Sequence, residues 1–241
     1  MIPLRDDNPT TLTPVLTIGL ITACILVFLY QATLPPGQDE AFVLHYGAVP
    51  SIVLGQAPAE STAAGFPVTL TLLTSMFLHG GWMHLIGNML YLWIFGNNIE
   101  DAMGHARFLI FYVVCGVVAA LSHALTDLHS TVPMVGASGA ISGVLGAYLL
   151  LYPRAQVLVL VPMGVMTRTM HVPAAIVLGF WFVLQLLSGG ASLGQGGGGI
   201  AWFAHVGGFL AGMALIGLFK RADVPFLAPA RRTTWSDRSE F

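Results

Sequence analysis

The chain of 241 residues is 56% hydrophobic and 8% charged, with a mean hydropathy of +0.79. Soluble domains carry about 25% charged residues, so this composition excludes an ordinary globular domain and points into a bilayer. A net charge of −2 and nine Lys and Arg in all leave no basic track for a phosphate backbone, which excludes nucleic acid as a partner.

Residues 1–13 carry Arg5, Asp6 and Asp7 without a signal-peptide pattern and read as a short cytoplasmic segment. Six apolar segments follow: roughly Pro14–Leu34, Gly81–Ile99, Phe108–Leu125, Ser138–Tyr152, Val172–Leu187 and Ala201–Phe219. Most approach the roughly 20 residues that a helix needs to cross a bilayer. The expected fold is therefore all-α, a polytopic six-helix membrane bundle over residues 14–220, followed by a disordered cytoplasmic tail, 221–241. Cys24 and Cys115 fall inside apolar runs and read as packing residues, not as a disulfide. The patch Val157–Met166, with Pro162 and Gly164, reads as an interfacial connection and not as a crossing.

Orientation follows from the basic residues. With both ends inside, the inner segments contain Arg5, Arg107, Arg154, Arg168, Lys220, Arg221, Arg231, Arg232 and Arg238, which is every Lys and Arg in the chain. The outer loops carry only Asp39, Glu40, Glu60 and Asp127 as charged groups. Short loops and no organellar presequence fit a bacterial inner membrane. The first outer loop, Pro35–Leu78, holds an apolar stretch, Ala41–Gly55, suited to the interface. The last, Ser188–Ile200, is glycine-rich and fits either a lid or a plain connector.

Segments two, four and six run in one direction, and each carries polar side chains near its outer end. These are His84 and Asn88, Ser138, and His205. His84 and Asn88 are four apart and share a helix face. Polar groups are costly inside a bilayer and face a bundle interior or a wet cavity, so one shared site is expected. A helix from Ser138 to Tyr152 reaches only about 22 Å against a core of about 30 Å. That sinks Ser138 below the outer surface and draws the loop Asp127–Ala137 in after it.

Gly139, Gly143 and Gly146 on segment four, and Gly208-x-x-x-Gly212 on segment six, let two helix backbones approach closely. Gly208 and Gly212 share the face of His205, so this contact carries the imidazole toward Ser138. A serine between glycines at a helix start also meets unpaired N–H groups and a partial positive charge, both suited to an oxyanion. Two readings stand: a Ser–His dyad with His205 as base and then acid, or a packing motif whose buried histidine bonds a neighbouring hydroxyl. His84 and Asn88 are likewise either oxyanion donors or an interhelical pair holding segment two.

The remaining candidates are weaker. His79 reads as a brace for its loop. Glu100, Asp101 and Arg107 read as ion pairs at the inner end of segment two. His105, His123, His129 and His171 read as boundary residues, and Met83, Met89, Met163 and Met166 as packing residues. The sequence has no H-E-x-x-H and no intramembrane aspartate pair, so neither a metal nor a cofactor is expected.

Together, His84-x-x-x-Asn88, Gly136-Ala137-Ser138-Gly139, and Ala204-His205 with Gly208-x-x-x-Gly212 resemble the rhomboid family of intramembrane serine proteases. Gly96-Asn97-Asn98-Ile99-Glu100-Asp101, followed by Gly104 and Arg107, resembles the family's segment after its second span. The resemblance covers roughly residues 14–220. It implies a membrane endopeptidase in which Ser138 attacks a peptide bond of a transmembrane substrate near the outer face. His205 is the implied base, without a third carboxylate. His84, Asn88 and the Ser138 N–H are the implied oxyanion donors, with Gly136 shaping the loop. Implied partners are the lipid bilayer and single-pass substrates that unravel locally, often with a small residue before the cut. Oligomeric state is left open.

Two departures concern the anchoring of the first outer loop and the positioning of His205. Many relatives carry Trp-Arg where this chain has Val68-Thr69-Leu70-Thr71, and many carry an aromatic where it has Ser142. The alternatives are a catalytically silent relative that binds membrane clients, or a transporter. A transporter would carry more intramembrane charge or broken helices in paired halves.

Overall fold

The computed structural model describes residues 1–58, 66–163, 166–192 and 201–229. A strand, β1 (Ile2–Asp6), precedes the first long helix, α1 (Val15–Ala32). The first outer loop folds into α2 (Gln38–Tyr46), α3 (Pro50–Val53) and α4 (Val68–Thr74), the last prolonged by a 3-10 turn. Next come α5 (Trp82–Tyr91), a π-helical turn (Leu92–Gly96) and α6 (Asn97–Met103) without a break, then α7 (His105–Ala124) and α8 (Ser138–Leu151). A hairpin of β2 (Gln156–Met163) and β3 (Met166–Pro173) leads into α9 (Ala174–Ser192), and α10 (Trp202–Phe219) ends the bundle.

The protein is mostly helical, and α1, α7, α9 and α10 are each long and apolar enough to cross a membrane. The other two expected segments depart from that pattern. Segment two is composite, with its π-helical turn in the middle. Segment four, α8, has only 14 residues, about 21 Å of helix. It is apolar all round, and a helix of that kind belongs inside a fold. All but four of its side chains are buried. With α7, α9 and α10 around it, α8 has no lipid-facing surface that must match the bilayer.

The contact between α8 and α10 is backbone on backbone. A Cβ on Gly208 would fall onto the carbonyl of Gly139, one on Gly212 onto that of Gly143, and one on Gly146 onto that of Phe209. Such close approach maximises dispersion and Cα–H···O contacts, which hold helices together where apolar burial alone does not.

The mostly helical fold is as expected, but other expectations need correction. Beside the bundle, β1, β2 and β3 form an antiparallel sheet in that order. Val157–Met166 is therefore mostly strand and not an irregular interfacial connection. Its alternating Val157 and Val159 are fully buried against the bundle, as period-two patterning requires. The sheet lies at the far end of α8 from Ser138. Residues 221–229 are ordered too: Leu227 N and Ala228 N donate to the carbonyls of Leu150 and Leu151, capping α8. Residues 230–241 of the expected tail lie outside the described residues, as do the side chains of Met163 and Met166.

Glu100 and Asp101 pair with backbone amides, threonine hydroxyls and His105, not with Arg107. Glu100 is fully buried and accepts from Leu16 N, Thr17 N and Thr17 Oγ1 at 2.7–2.9 Å, which satisfies first-turn donors of α1. His105 bonds the same carboxylate and is not merely a boundary residue. Asp101 accepts from Thr11 Oγ1 and Leu12 N at 2.9 Å. Among the described residues Arg107 pairs with neither acid. Cys24 and Cys115 are free and buried, as expected of packing residues.

Candidate active site

Ser138 is the first residue of α8 and His205 lies in the first turn of α10. Their helices are pressed together by the glycine contact, and His205 Nε2 stands 2.8 Å from Ser138 Oγ. Ser138 is half-buried and His205 is 9% exposed. Ser142, one turn further on, is fully buried and its hydroxyl donates to the Ser138 carbonyl at 2.6 Å. It has no path to a substrate.

Gly136 has φ of +121°, a conformation open to glycine and strained for other residues. A side chain there is also blocked. Its Cβ would lie 2.7 Å from His84 Nε2 and 3.5 Å from Asn88 Nδ2. The bare Cα of Gly136 thus lets His84 and Asn88 converge beside the serine loop, and Gly136 N fixes that loop by donating to Ser75 O at 2.8 Å. Gly80 N donates to His84 Nδ1 at 3.3 Å, so a neutral His84 carries its proton on Nε2, on the Gly136 side. Asn88 is 8% exposed, and its buried Nδ2 has no partner among the described residues.

His79 is buried in the loop before α5, where its Nδ1 meets Phe77 O at 3.2 Å and its carbonyl accepts from Gln31 Nε2 at 3.1 Å. Its ring packs 5.2 Å from that of His84. That is the position of a brace. The first outer loop, which lacks Trp-Arg, is held otherwise: Ala48 and Met134 exchange two backbone hydrogen bonds, Tyr30 packs edge to face on Phe42 and Tyr46 on Phe66, and Phe42 and Tyr46 pack at a tilt. The loop carrying Ser138 is thereby stitched to the first outer loop. Most of the glycine-rich stretch read as a lid or connector, 193–200, lies outside the described residues, and 188–192 belong to α9.

Sequence reasoning missed the residues that contact His205 from its other side. Gln185 of α9 is 6% exposed, and its Oε1 lies 2.7 Å from His205 Nδ1. The Trp181 ring packs 5.8 Å from the imidazole and Trp202 presents its edge at 6.2 Å. The aromatic support expected to be missing at Ser142 comes instead from these tryptophans. The signal for Gln185 was available, since an amide amid apolar residues at membrane depth calls for a polar partner.

The sequence profile of the Rhomboid domain matches residues 68–222, a stretch that holds His84, Asn88, Gly136, Ser138 and His205. The chain belongs to the rhomboid family. It is similar to Rhomboid protease GluP of Bacillus subtilis, at 34% identity over 144 residues, covering 60% of this chain and 25% of that protein. It is similar to Rhomboid protein 1, mitochondrial, of Saccharomyces cerevisiae, at 30% over 148 residues, covering 60% of this chain and 40% of that protein. RHOMBOID-like protein 5 of Arabidopsis thaliana matches at 41% over 78 residues, 32% of this chain and 25% of that one. The matched stretches thus span between a quarter and two-fifths of these relatives' lengths. This rhomboid is an integral membrane protein with its candidate site on α5, α8, α9 and α10.

Proposed function

We propose that the chain is an intramembrane serine endopeptidase that cuts a transmembrane segment of a single-pass protein near the outer face. The observation that carries this reading is the 2.8 Å contact between Ser138 Oγ and His205 Nε2 at the joint of α8 and α10. Ser138 Oγ passes its proton to His205 Nε2 as it attacks the scissile carbonyl carbon. The negative charge moves to the carbonyl oxygen, toward Asn88 Nδ2, His84 Nε2 and the Ser138 N–H. His205 returns the proton to the leaving nitrogen as the C–N bond breaks. Water, deprotonated by His205, then releases the acyl group from Ser138. An intact helix hides its carbonyls in hydrogen bonds, so the substrate must unwind locally before attack.

A small cavity beside Ser138 supports preference for a small residue at the cut. Its walls include Gly116, Ala119, Ala120 and Ala204, and it holds about 30 Å³. The distribution of basic residues supports both termini lying inside, as they would in a bacterial plasma membrane.

Fluorophosphonate labelling of the full chain in detergent tests the reading. Expected is an adduct on Ser138 that is absent in Ser138→Ala and in His205→Ala. An adduct that persists in Ser138→Ala moves the nucleophile elsewhere. No adduct on the wild-type chain favours a silent, client-binding relative.

A further inference from the structure

We infer that Gln185 is a positioning residue that holds His205 in the one tautomer able to accept the proton of Ser138. This rests on the Ser–His reading above, but its geometry is independent of any substrate.

The amide of Gln185 has its orientation fixed at both ends. Its Nε2 donates to the Trp181 carbonyl at 3.2 Å, and its Oε1 lies 2.7 Å from His205 Nδ1. Flipping the amide would set two oxygens against each other at Trp181, so the oxygen stays toward the imidazole. A carbonyl oxygen only accepts. His205 Nδ1 must then carry the proton, which leaves the lone pair on Nε2, 2.8 Å from Ser138 Oγ. In the other tautomer Nδ1 and Oε1 would be two facing acceptors at 2.7 Å in a buried site, and Nε2–H could not take a proton.

The same amide suits the charged state of the cycle. Once Nε2 is protonated, Nδ1–H continues to donate to Oε1, and the amide dipole faces the new positive charge. A carboxylate there would stabilise the imidazolium more. It would also leave a buried charge unpaired whenever His205 is neutral, which is costly. The other titratable groups acting on His205 come from further elements: Ser138 of α8, His84 of α5 and His123 of α7. Among the described residues Gln185 is the partner of His205 Nδ1, and its oxygen can only accept, whereas the Ser138 hydroxyl at Nε2 can donate or accept. Trp181 and Phe182 reinforce the grip by packing on His205 and Phe209, with rings 5.8 and 4.5 Å apart. The base is thus set by α9 as much as by α10.

The direct test is the imidazole ¹⁵N spectrum of selectively labelled full chain. Expected is a single Nδ1–H tautomer for His205 in the wild type and a mixture in Gln185→Leu; an unchanged spectrum in the variant overturns the inference whether or not the chain is active. On a fluorogenic transmembrane substrate, Gln185→Leu should lower kcat tenfold to a hundredfold and leave KM within about twofold, at unchanged melting temperature. Gln185→Glu should lower kcat, because an oxygen then faces the Trp181 carbonyl, and should move the acid limb of kcat upward by about one pH unit or more, because a carboxylate favours the protonated ring. A merely structural glutamine would leave that limb where it is, and that result also overturns the inference. Absence of wild-type turnover would sink the protease reading alone, since the spectrum still decides the tautomer.

Discussion

Asn88 Nδ2 is buried with no partner among the described residues, and an unsatisfied buried donor costs about 1–3 kcal/mol. A donor left open beside Ser138 suits a bond formed only when the carbonyl oxygen gains charge. Asn88→Ala is therefore expected to lower kcat by about tenfold or more while the melting temperature holds or rises, measured on one preparation. Equal turnover would remove Asn88 from the site. Gly136→Ala should be worse on both counts, because φ of +121° and the His84 ring both refuse a side chain. Ser138, His84, Asn88 and His205 could be read from the sequence because each is a polar group where polarity is costly. Gln185 obeys the same rule. It escaped notice because an amide on segment five matches no motif, and its partner lies 20 positions away on a different helix.

The helices were legible from apolar runs, and the glycines of α8 and α10 were legible as residues that permit close approach. The sheet was not. Val157 and Val159 alternate inward, but the hairpin is short, flanked by membrane-like segments, and completed by a strand from the other end of the chain. Pairing across that distance leaves no local signature. The close contact of α8 and α10 at their glycines carries its own test. Gly212→Ala sets a methyl into the Gly143 backbone and should destabilise by about 1–3 kcal/mol, with fluorophosphonate labelling lost in parallel. Gly19→Ala on α1, where a Cβ meets nothing within 4 Å, is the control and should be neutral or stabilising. Equal thermal unfolding of the two variants in detergent would refute backbone-to-backbone packing.

Residues 2–6 and 227–228 meet at the end of α8 opposite Ser138. Residues 227 and 228 cap its last carbonyls, while β1 crosses beneath it and Asp6 accepts a hydrogen bond from the Tyr148 hydroxyl. The helix that carries Ser138 is thereby clamped by segments far away in sequence, which no reading of local pattern could anticipate. Burial pushes the Asp6 carboxyl up to about 6, against 3.8 when free, and the Tyr148 bond only partly opposes that rise. Docked β1 therefore binds a proton more readily than free β1. Its docking is strongest below about pH 4 and weakens as pH climbs through about 6. Hydrogen exchange checks this at the Asp7 amide, which donates to Gln156 O at 2.9 Å. After correction for intrinsic exchange, protection should fall by roughly tenfold between about pH 5 and about pH 7.5. Asp6→Asn keeps an acceptor for Tyr148 but has no proton to lose, so its protection should be flat across that range. Wild-type protection equally flat would mean that Asp6 is solvated and that the clamp does not sense pH.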